Sequence, residues 1–208
     1  MVIFDFDGVI CDSLGLCRDA CQSAVSQQDA SVILESNPFR YLDPVTFEAV
    51  AIELGLDAEV FSESVASYLY QNGEQAQFFY GIDSAIQDLA AEHKLFIISA
   101  SHSDVINKQL TRYDLKSYFH TVLGGDVKGS KQEKIIKLKE AYQEQAIMIG
   151  DSVSDIKAAH ESDALSIAVT WGWQPQGYLE KQNPTIIAHQ ANELISAISS
   201  FKTEIETK

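Results

Sequence analysis

Asp5 and Asp7 close the apolar run VIFDFDG at residues 2–8, a place where charge is costly to bury unless something offsets it. Asp151 and Asp155 follow a second apolar run, AIMIG at 146–150. Ser99 lies at the end of LFIISA (95–100), and Lys131 precedes the helical pattern QEKIIKLK. Carboxylates that converge repel one another unless a cation sits among them. Hard oxygen donors with no histidine beside them favour Mg²⁺. A divalent ion, a lysine and helix N-termini that follow strands together suit a phosphate group. Ser99 can donate a hydroxyl hydrogen bond, while Gly8 and Gly150 let the backbone turn tightly and approach a ligand. Each residue alone is unspecific, since an Asp after a strand is usually a cap or turn residue. The ordered set at matching strand ends is what points to chemistry.

The elements that must position these residues can be read from the apolar pattern. Residues 2–6, 95–100, 121–123, 146–150 and 164–169 read as buried strands, with a weaker one at 185–188. Helical spacing recurs over 82–92, 105–112, 132–142, 152–161 and 191–203. Continuous apolar runs alternating with helices predict an α/β fold: a doubly wound, mainly parallel, Rossmann-like sheet covered on both faces. Such a sheet binds ligands at the carboxyl ends of its strands. Residues 13–80 break the alternation. They read as helices over 13–28, 29–36, 44–54 and 57–71, interrupted by Pro38 and Pro44, with a turn at Asn72-Gly73. The expected organisation is an α/β core of residues 1–14 and 79–208 with a small helical cap domain of 15–78. Hinges fall near 12–16 and 76–81, with Gly15 and Gly81 as pivot or turn residues, and the cap opens by rotation about them. The tail KTEIETK is expected to fray.

Composition excludes several classes. The chain has 208 residues and a net charge of −15. Nucleic-acid binding and docking on anionic lipid both need a basic face, so neither is expected. No apolar run approaches the length of about 18 residues that a membrane span needs. The N-terminus lacks the basic and apolar segments of a signal peptide, so a cytoplasmic protein is expected. Cys11, Cys17 and Cys21 fit buried thiols in a reducing compartment better than a metal or redox site.

The motifs resemble those of the haloacid dehalogenase-like hydrolase superfamily, in its phosphatase branch with a helical cap between the first and second motifs, as in phosphoglycolate phosphatases and beta-phosphoglucomutases. DFDGVICDS is similar to the first motif, LFIISAS to the second, GSKQEKI to the third and IMIGDSVSDI to the fourth. The similarity runs from residue 2 to about 173. Val9 stands where threonine is common after DxDG. The resemblance implies that Asp5 is a nucleophile forming an aspartyl-phosphate, and that Asp7 protonates the leaving oxygen and then takes a proton from water. It implies Mg²⁺ on the Asp5 carboxylate, the Asp7 backbone carbonyl and Asp151. Asp155 would support the metal through water or hold Lys131, and Ser99 and Lys131 would grip the phosphoryl oxygens. Ser101 competes with Ser99, and Lys128 with Lys131; Ser99 ends the apolar run and Lys131 stands at the helix start, so both are preferred.

Within the superfamily, Asp7 argues against carbon–halogen cleavage, because a halide needs no acid to leave. The absence of any lysine before Lys94 argues against an imine-forming cap. The expected activity is Mg²⁺-dependent hydrolysis of a small phosphorylated metabolite. A phosphosugar mutase of the same fold and a non-enzymatic phospho-ligand binding protein are the alternatives. A receiver domain is shorter, has no helical insert and carries its phosphorylated Asp on a middle strand. Arg18 and Arg40 are read as surface residues, and His102 as a helix-start residue. Trp171-Gly172-Trp173 is read as packing beneath the site.

Overall fold

The structure, a computed structural model, describes residues 1–73 and 76–205, with side chains to residue 201. In chain order the strands are β1 (Val2–Phe4), β2 (Cys11–Asp12), β3 (Gln77–Phe78), β4 (Leu95–Ile98), β5 (Phe119–Leu123), β6 (Ile147–Gly150), β7 (Leu165–Val169) and β8 (Ile186–Ala188). The α-helices are α1 (Leu14–Gln28), α2 (Phe47–Glu53), α3 (Ala58–Asn72), α4 (Ile82–Ala90), α5 (Ser103–Arg112), α6 (Lys131–Tyr142), α7 (Val153–Glu161), α8 (Gln176–Leu179) and α9 (Glu193–Ile205). Six strands form one sheet in the order β5-β4-β1-β6-β7-β8, and every pairing in it is parallel.

Both faces of this sheet are covered, which is why its strands read as unbroken apolar runs. Side chains alternate along each strand. Val2, Phe4, Ile97 and Ile149 point to the side packed by Ile86, Leu110 and Ile198 of α4, α5 and α9. Ile3, Phe96, Ile98 and Met148 point to the other side, against Ile135 and Leu138 of α6 and Ala158 and Ala159 of α7. Strand β1 lies at the centre, with Val2 opposite both Leu95 and Ile147. The chain builds outward from it on one side to β5, then crosses to β6 on the other. The carboxyl end of β1 is therefore the place where the winding reverses, and a crevice opens there.

Strand β1 stops at Phe4, two residues earlier than the apolar run predicts. Asp5 N–H still reaches the Ile149 carbonyl at 2.9 Å. Beyond it the chain folds into a tight turn, in which Ile10 and Cys11 N–H both donate to the Phe6 carbonyl. Gly8 is left-handed in this turn, with φ of 78°.

The helical insert departs further from expectation. Helix α1 ends at Gln28 because the Asp29 carboxylate accepts from both Ser31 N–H, at 2.9 Å, and Ser31 Oγ, at 2.6 Å. This local turn takes up backbone groups that a helix would need, and no helix follows over 29–36. The helix expected over 44–54 shortens to α2, capped by Thr46, whose Oγ1 accepts from Ala49 N–H. Helices α1 to α3 close over their own apolar cluster, which includes Ala24, Val25, Val50, Phe61 and Val65.

At the two connections between insert and sheet, where the hinges are expected, Cys11 and Asp12 pair antiparallel with Phe78 and Gln77, giving a two-stranded ribbon. Gly81, with φ of 77°, is a turn residue before α4, whereas Gly15 is helical, inside α1. Helix α9 continues to Ile205; residues 206–208 of the tail lie outside the described residues. No helix among the described residues is long and apolar enough to cross a membrane. The three cysteines are buried and unbridged.

Candidate active site

Asp5 sits one residue past β1 and is buried. Its Oδ1 accepts from Phe6 N–H at 2.7 Å, and its Oδ2 accepts from Lys131 Nζ at 2.7 Å. Lys131 is the first residue of α6. The Ser130 and Glu133 side chains cap that helix reciprocally and so fix where it starts. The same ammonium also donates to Asp155 Oδ1. Asp155 lies in the first turn of α7, where its Oδ2 accepts from Ser152 N–H at 3.1 Å and Ser152 Oγ at 2.5 Å. Asp151 is the first residue after β6, and its Oδ2 accepts from Trp173 N–H at 2.7 Å.

Asp5, Asp151 and Asp155 thus meet at one edge of the sheet, with one oxygen of each within 4.8 Å of the others. Burial pushes the Asp5 carboxyl up to about 7; Lys131 opposes this, and Asp155 and Asp7 add to it. Burial raises Asp151 well above the ordinary carboxylate range, with Asp155 and Asp5 reinforcing the effect. Burial works against the charge of Lys131, but Asp155 and Asp5 more than compensate and hold it above the usual lysine value. One ammonium against a cluster of three acids leaves negative charge unbalanced.

A divalent cation fits that deficit. The donors are hard carboxylate oxygens, and no histidine belongs to the cluster, which suits Mg²⁺. The backbone is shaped around the same atoms. A Cβ on Gly8 would lie 2.0 Å from Asp151 Oδ2, and one on Gly172 would lie 2.4 Å from it. A Cβ on Gly150 would lie 2.1 Å from that of Asp155. Close approach requires all three glycines, and at Gly8 the left-handed backbone requires it as well.

Asp7 is held differently. Ser13 Oγ donates to its Oδ1 and Ser101 Oγ to its Oδ2, both at 2.6 Å. Its side chain is outside the three-acid cluster but lines the same cavity. Ser99 and Ser101 both line that cavity, and they have separate tasks. Ser101 N–H donates to Ser99 Oγ at 3.1 Å, so the Ser99 hydroxyl hydrogen can turn to a ligand, while the Ser101 hydroxyl is engaged by Asp7. Lys128 is exposed and is not among the lining residues.

Asp5, Asp7, Gly8, Ser99, Lys131, Gly150, Asp151 and Asp155 come from separate parts of the chain to this one edge. His102 caps α5, its Nδ1 accepting from Asp104 N–H. Trp171 Nε1 donates to the Val9 carbonyl at 3.1 Å, beneath the site. Trp173 instead packs into the insert's cluster against Phe39, with ring centroids 4.6 Å apart. The sequence does not single out Ser13, Asn37 or Gln174. Asn37 Nδ2 donates to the Trp173 carbonyl at 2.7 Å. Gln174 Oε1 accepts from Val153 N–H at 2.7 Å, and its Nε2 donates to the Leu42 carbonyl at 2.7 Å. Ser13 had a visible signal in its place at the end of DFDGVICDS; the other two had none.

A family described as haloacid dehalogenase-like hydrolase matches residues 2–169. A phosphoglycolate phosphatase from Vibrio parahaemolyticus is 23% identical, over 96% of this chain and 96% of its own. The tyrosine-protein kinase PtkA from Mycobacterium bovis is 24% identical, over 92% of this chain and 69% of its own. Among solved structures, a hydrolase of the haloacid dehalogenase-like family from Streptococcus pneumoniae superposes with a TM-score of 0.77 at 23% identity, covering 95% of this chain and 97% of its own.

Proposed function

The chain belongs to the haloacid dehalogenase-like hydrolase family, and on that premise we propose that it hydrolyses the phosphate monoester of a small molecule, with Mg²⁺ as cofactor and Asp5 as nucleophile. The observation that carries this reading is the placement of Asp5: buried at the centre of the sheet edge, bonded to Lys131 at 2.7 Å, with Asp7 in the same cavity.

In the first step an Asp5 carboxylate oxygen bonds to phosphorus and the bond from phosphorus to the ester oxygen breaks. Asp7 gives its proton to that departing oxygen. In the second step water bonds to phosphorus, the bond to Asp5 breaks, and Asp7 takes the proton of the water. Inorganic phosphate leaves, and both carboxyls return to their starting states. Ser13 and Ser101 hold Asp7 in place through both steps, because hydroxyls can donate to the carboxylate or accept from the acid. Lys131 and the Ser99 hydroxyl hold the equatorial phosphoryl oxygens. Asp5 and Asp151 would hold Mg²⁺ with the Asp7 backbone carbonyl, and Asp155 would keep Lys131 aimed. The metal would neutralise charge on the phosphoryl group and on the acids around it.

Helices α1 to α3 roof the cavity, and their role in this reading is that of a cap. The buried thiols suit the cytoplasm, where we place the enzyme. Purified protein with Mg²⁺ should release inorganic phosphate from phosphorylated metabolites, and Asp5→Asn should lower the rate by about 10⁴-fold or more. Equal rates in the two proteins would remove Asp5 as nucleophile. Transfer to another acceptor without phosphate release would replace hydrolysis with a mutase or kinase activity.

A further inference from the structure

The cavity that holds Asp5 and Lys131 encloses about 1180 Å³, and its two walls differ in charge. The wall supplied by the insert is mostly apolar, with Leu16, Phe39, Val45, Phe47, Leu69 and Tyr70. Neither arginine of the insert lines it. Arg18 is paired with Asp19 at 3.3 Å, and Arg40 lies 5.3 Å from the centroid of the Tyr41 ring. The cations that do line the cavity, among the described residues, are already engaged. Lys131 holds Asp5 and Asp155, and Lys157 is paired with Asp43. His102 Nδ1 accepts from Asp104 N–H and faces the Asp104 and Asp126 carboxylates at 3.9 and 4.0 Å. Glu48, Asp104 and Glu161 add negative charge to the lining.

Among the described residues, three polar atoms of lining residues are buried without a partner: Gln109 Oε1, Ser62 Oγ and Trp173 Nε1. The Gln109 amide nitrogen donates to the Gly73 carbonyl at 2.7 Å, which fixes the amide orientation and leaves Oε1 without a partner. That oxygen can only accept. A carboxylate beside it would set oxygen against oxygen, whereas a hydroxyl or an N–H would complete it. Ser62 Oγ, on the cavity-facing side of α3, is likewise buried without a partner and is neutral.

We infer that the group esterified to the phosphate is uncharged and largely apolar, with a hydroxyl or N–H that Gln109 can receive, and that a second anionic group on the substrate is disfavoured. This rests on the phosphatase reading above and deepens it. The phosphate itself meets Lys131 and the cation site. A second carboxylate would meet a mostly apolar wall, fixed acids and no free cation, with only the neutral donors Ser62 Oγ and Trp173 Nε1 to receive it. The chain is thereby set apart from an enzyme for phosphoglycolate, whose leaving group carries a carboxylate.

Phenyl phosphate and 4-carboxyphenyl phosphate differ by one charge at the end remote from phosphorus, so their ratio tests the wall. With Mg²⁺, kcat/KM for phenyl phosphate should exceed that for the carboxylate by roughly tenfold or more. Tyr70 is 94% exposed, so Tyr70→Lys adds a cation to the wall without disturbing the core. It should shift the ratio toward the carboxylate by roughly tenfold. Calorimetric titration with phenylphosphonate and 4-carboxyphenylphosphonate reads the same preference without turnover. Equal use of both esters, or preference for the carboxylate, overturns the inference. Binding preference for phenylphosphonate with no turnover of any ester leaves the inference standing and removes the phosphatase reading. Neither turnover nor a binding preference removes both.

Discussion

The carboxyl edge of the sheet and the wall of the helical insert face each other across one cavity, yet they are built on opposite terms. At the edge nearly every polar atom has a fixed partner. Lys131 is shared by Asp5 and Asp155, Asp151 is held by the Trp173 N–H, and Asp7 is held by two serines. On the insert side the lining is mostly apolar, its arginines are turned elsewhere, and Ser62 Oγ has no partner. The edge is positioned by strands buried on both faces, where a shift of one residue would exchange the two cores. The insert is positioned by three helices and by long irregular segments between them. The difference assigns tasks: groups that must hold reacting atoms are over-determined, and groups that meet the variable part of a ligand are left incomplete.

The sharpest way to break this contrast is to unbalance the edge. Lys131→Met removes the ammonium that opposes three buried acids. The expected loss in kcat/KM is about 10²–10³-fold, the scale of a lost transition-state donor. The metal-free variant should also melt about 5 °C or more below the parent, because buried carboxylates lose their partner. Mg²⁺ should restore more of the melting temperature in the variant than in the parent, since the ion supplies the missing charge. A variant that melts with the parent in EDTA would show that Lys131 does not offset those acids.

A second test makes one chemical change in both regions. Gly8→Ala places a methyl group 2.0 Å from Asp151 Oδ2, on a residue with φ of 78°. Asp151 must move, so activity should fall about 100-fold and Mg²⁺ should bind more weakly. Gly15→Ala falls in α1 with nothing within 4 Å of the new methyl. It should stabilise the protein by about 0.5–1 kcal/mol, through helix propensity alone, and leave Mg²⁺ affinity unchanged. Denaturant melts and Mg²⁺ titrations of the two variants separate a backbone approach that chemistry requires from a glycine that is merely tolerated.

The same contrast explains which parts of the molecule were legible in the sequence. Strands buried on both faces have to be continuously apolar, so β1, β4, β6 and β7 announce themselves. The residues that follow them then converge by topology, which brings Asp5, Ser99 and Asp151 together without any side-chain knowledge. Only the ends of these elements shift, as where β1 gives way to the turn at Asp5. The insert is less legible because local hydrogen bonding, rather than local propensity, decides where its helices end. Asp29 and Ser31 end the helix that the apolar residues Val32, Ile33 and Leu34 suggest. The ribbon of β2 and β3 is two residues wide, too short for any alternation to show. Contacts such as Asn37 to Trp173 join residues 136 positions apart and leave no local pattern.

The mildest test probes the joint between the two regions. Gln174 is buried and bridges them: its oxygen receives Val153 N–H at the start of α7, and its nitrogen donates to Leu42 of the insert. Its neighbour Trp173 joins the same regions by another route, with its N–H on Asp151 and its ring on Phe39. Gln174→Met keeps the volume and removes its hydrogen bonds to Val153 N–H and to the Leu42 and Phe39 carbonyls, leaving the buried N–H and the Leu42 carbonyl unpaired. The expected cost is about 2 kcal/mol, or about 4–8 °C in melting temperature. Hydrogen exchange should quicken at residues 37–44 more than in the strands of the sheet, because the bond to Leu42 is lost there. Since Trp173 still holds Asp151, kcat should change by less than about threefold. A large fall in kcat with the melting temperature unchanged would mean that Gln174 acts on the edge chemistry, and that the line between the two regions has been drawn in the wrong place.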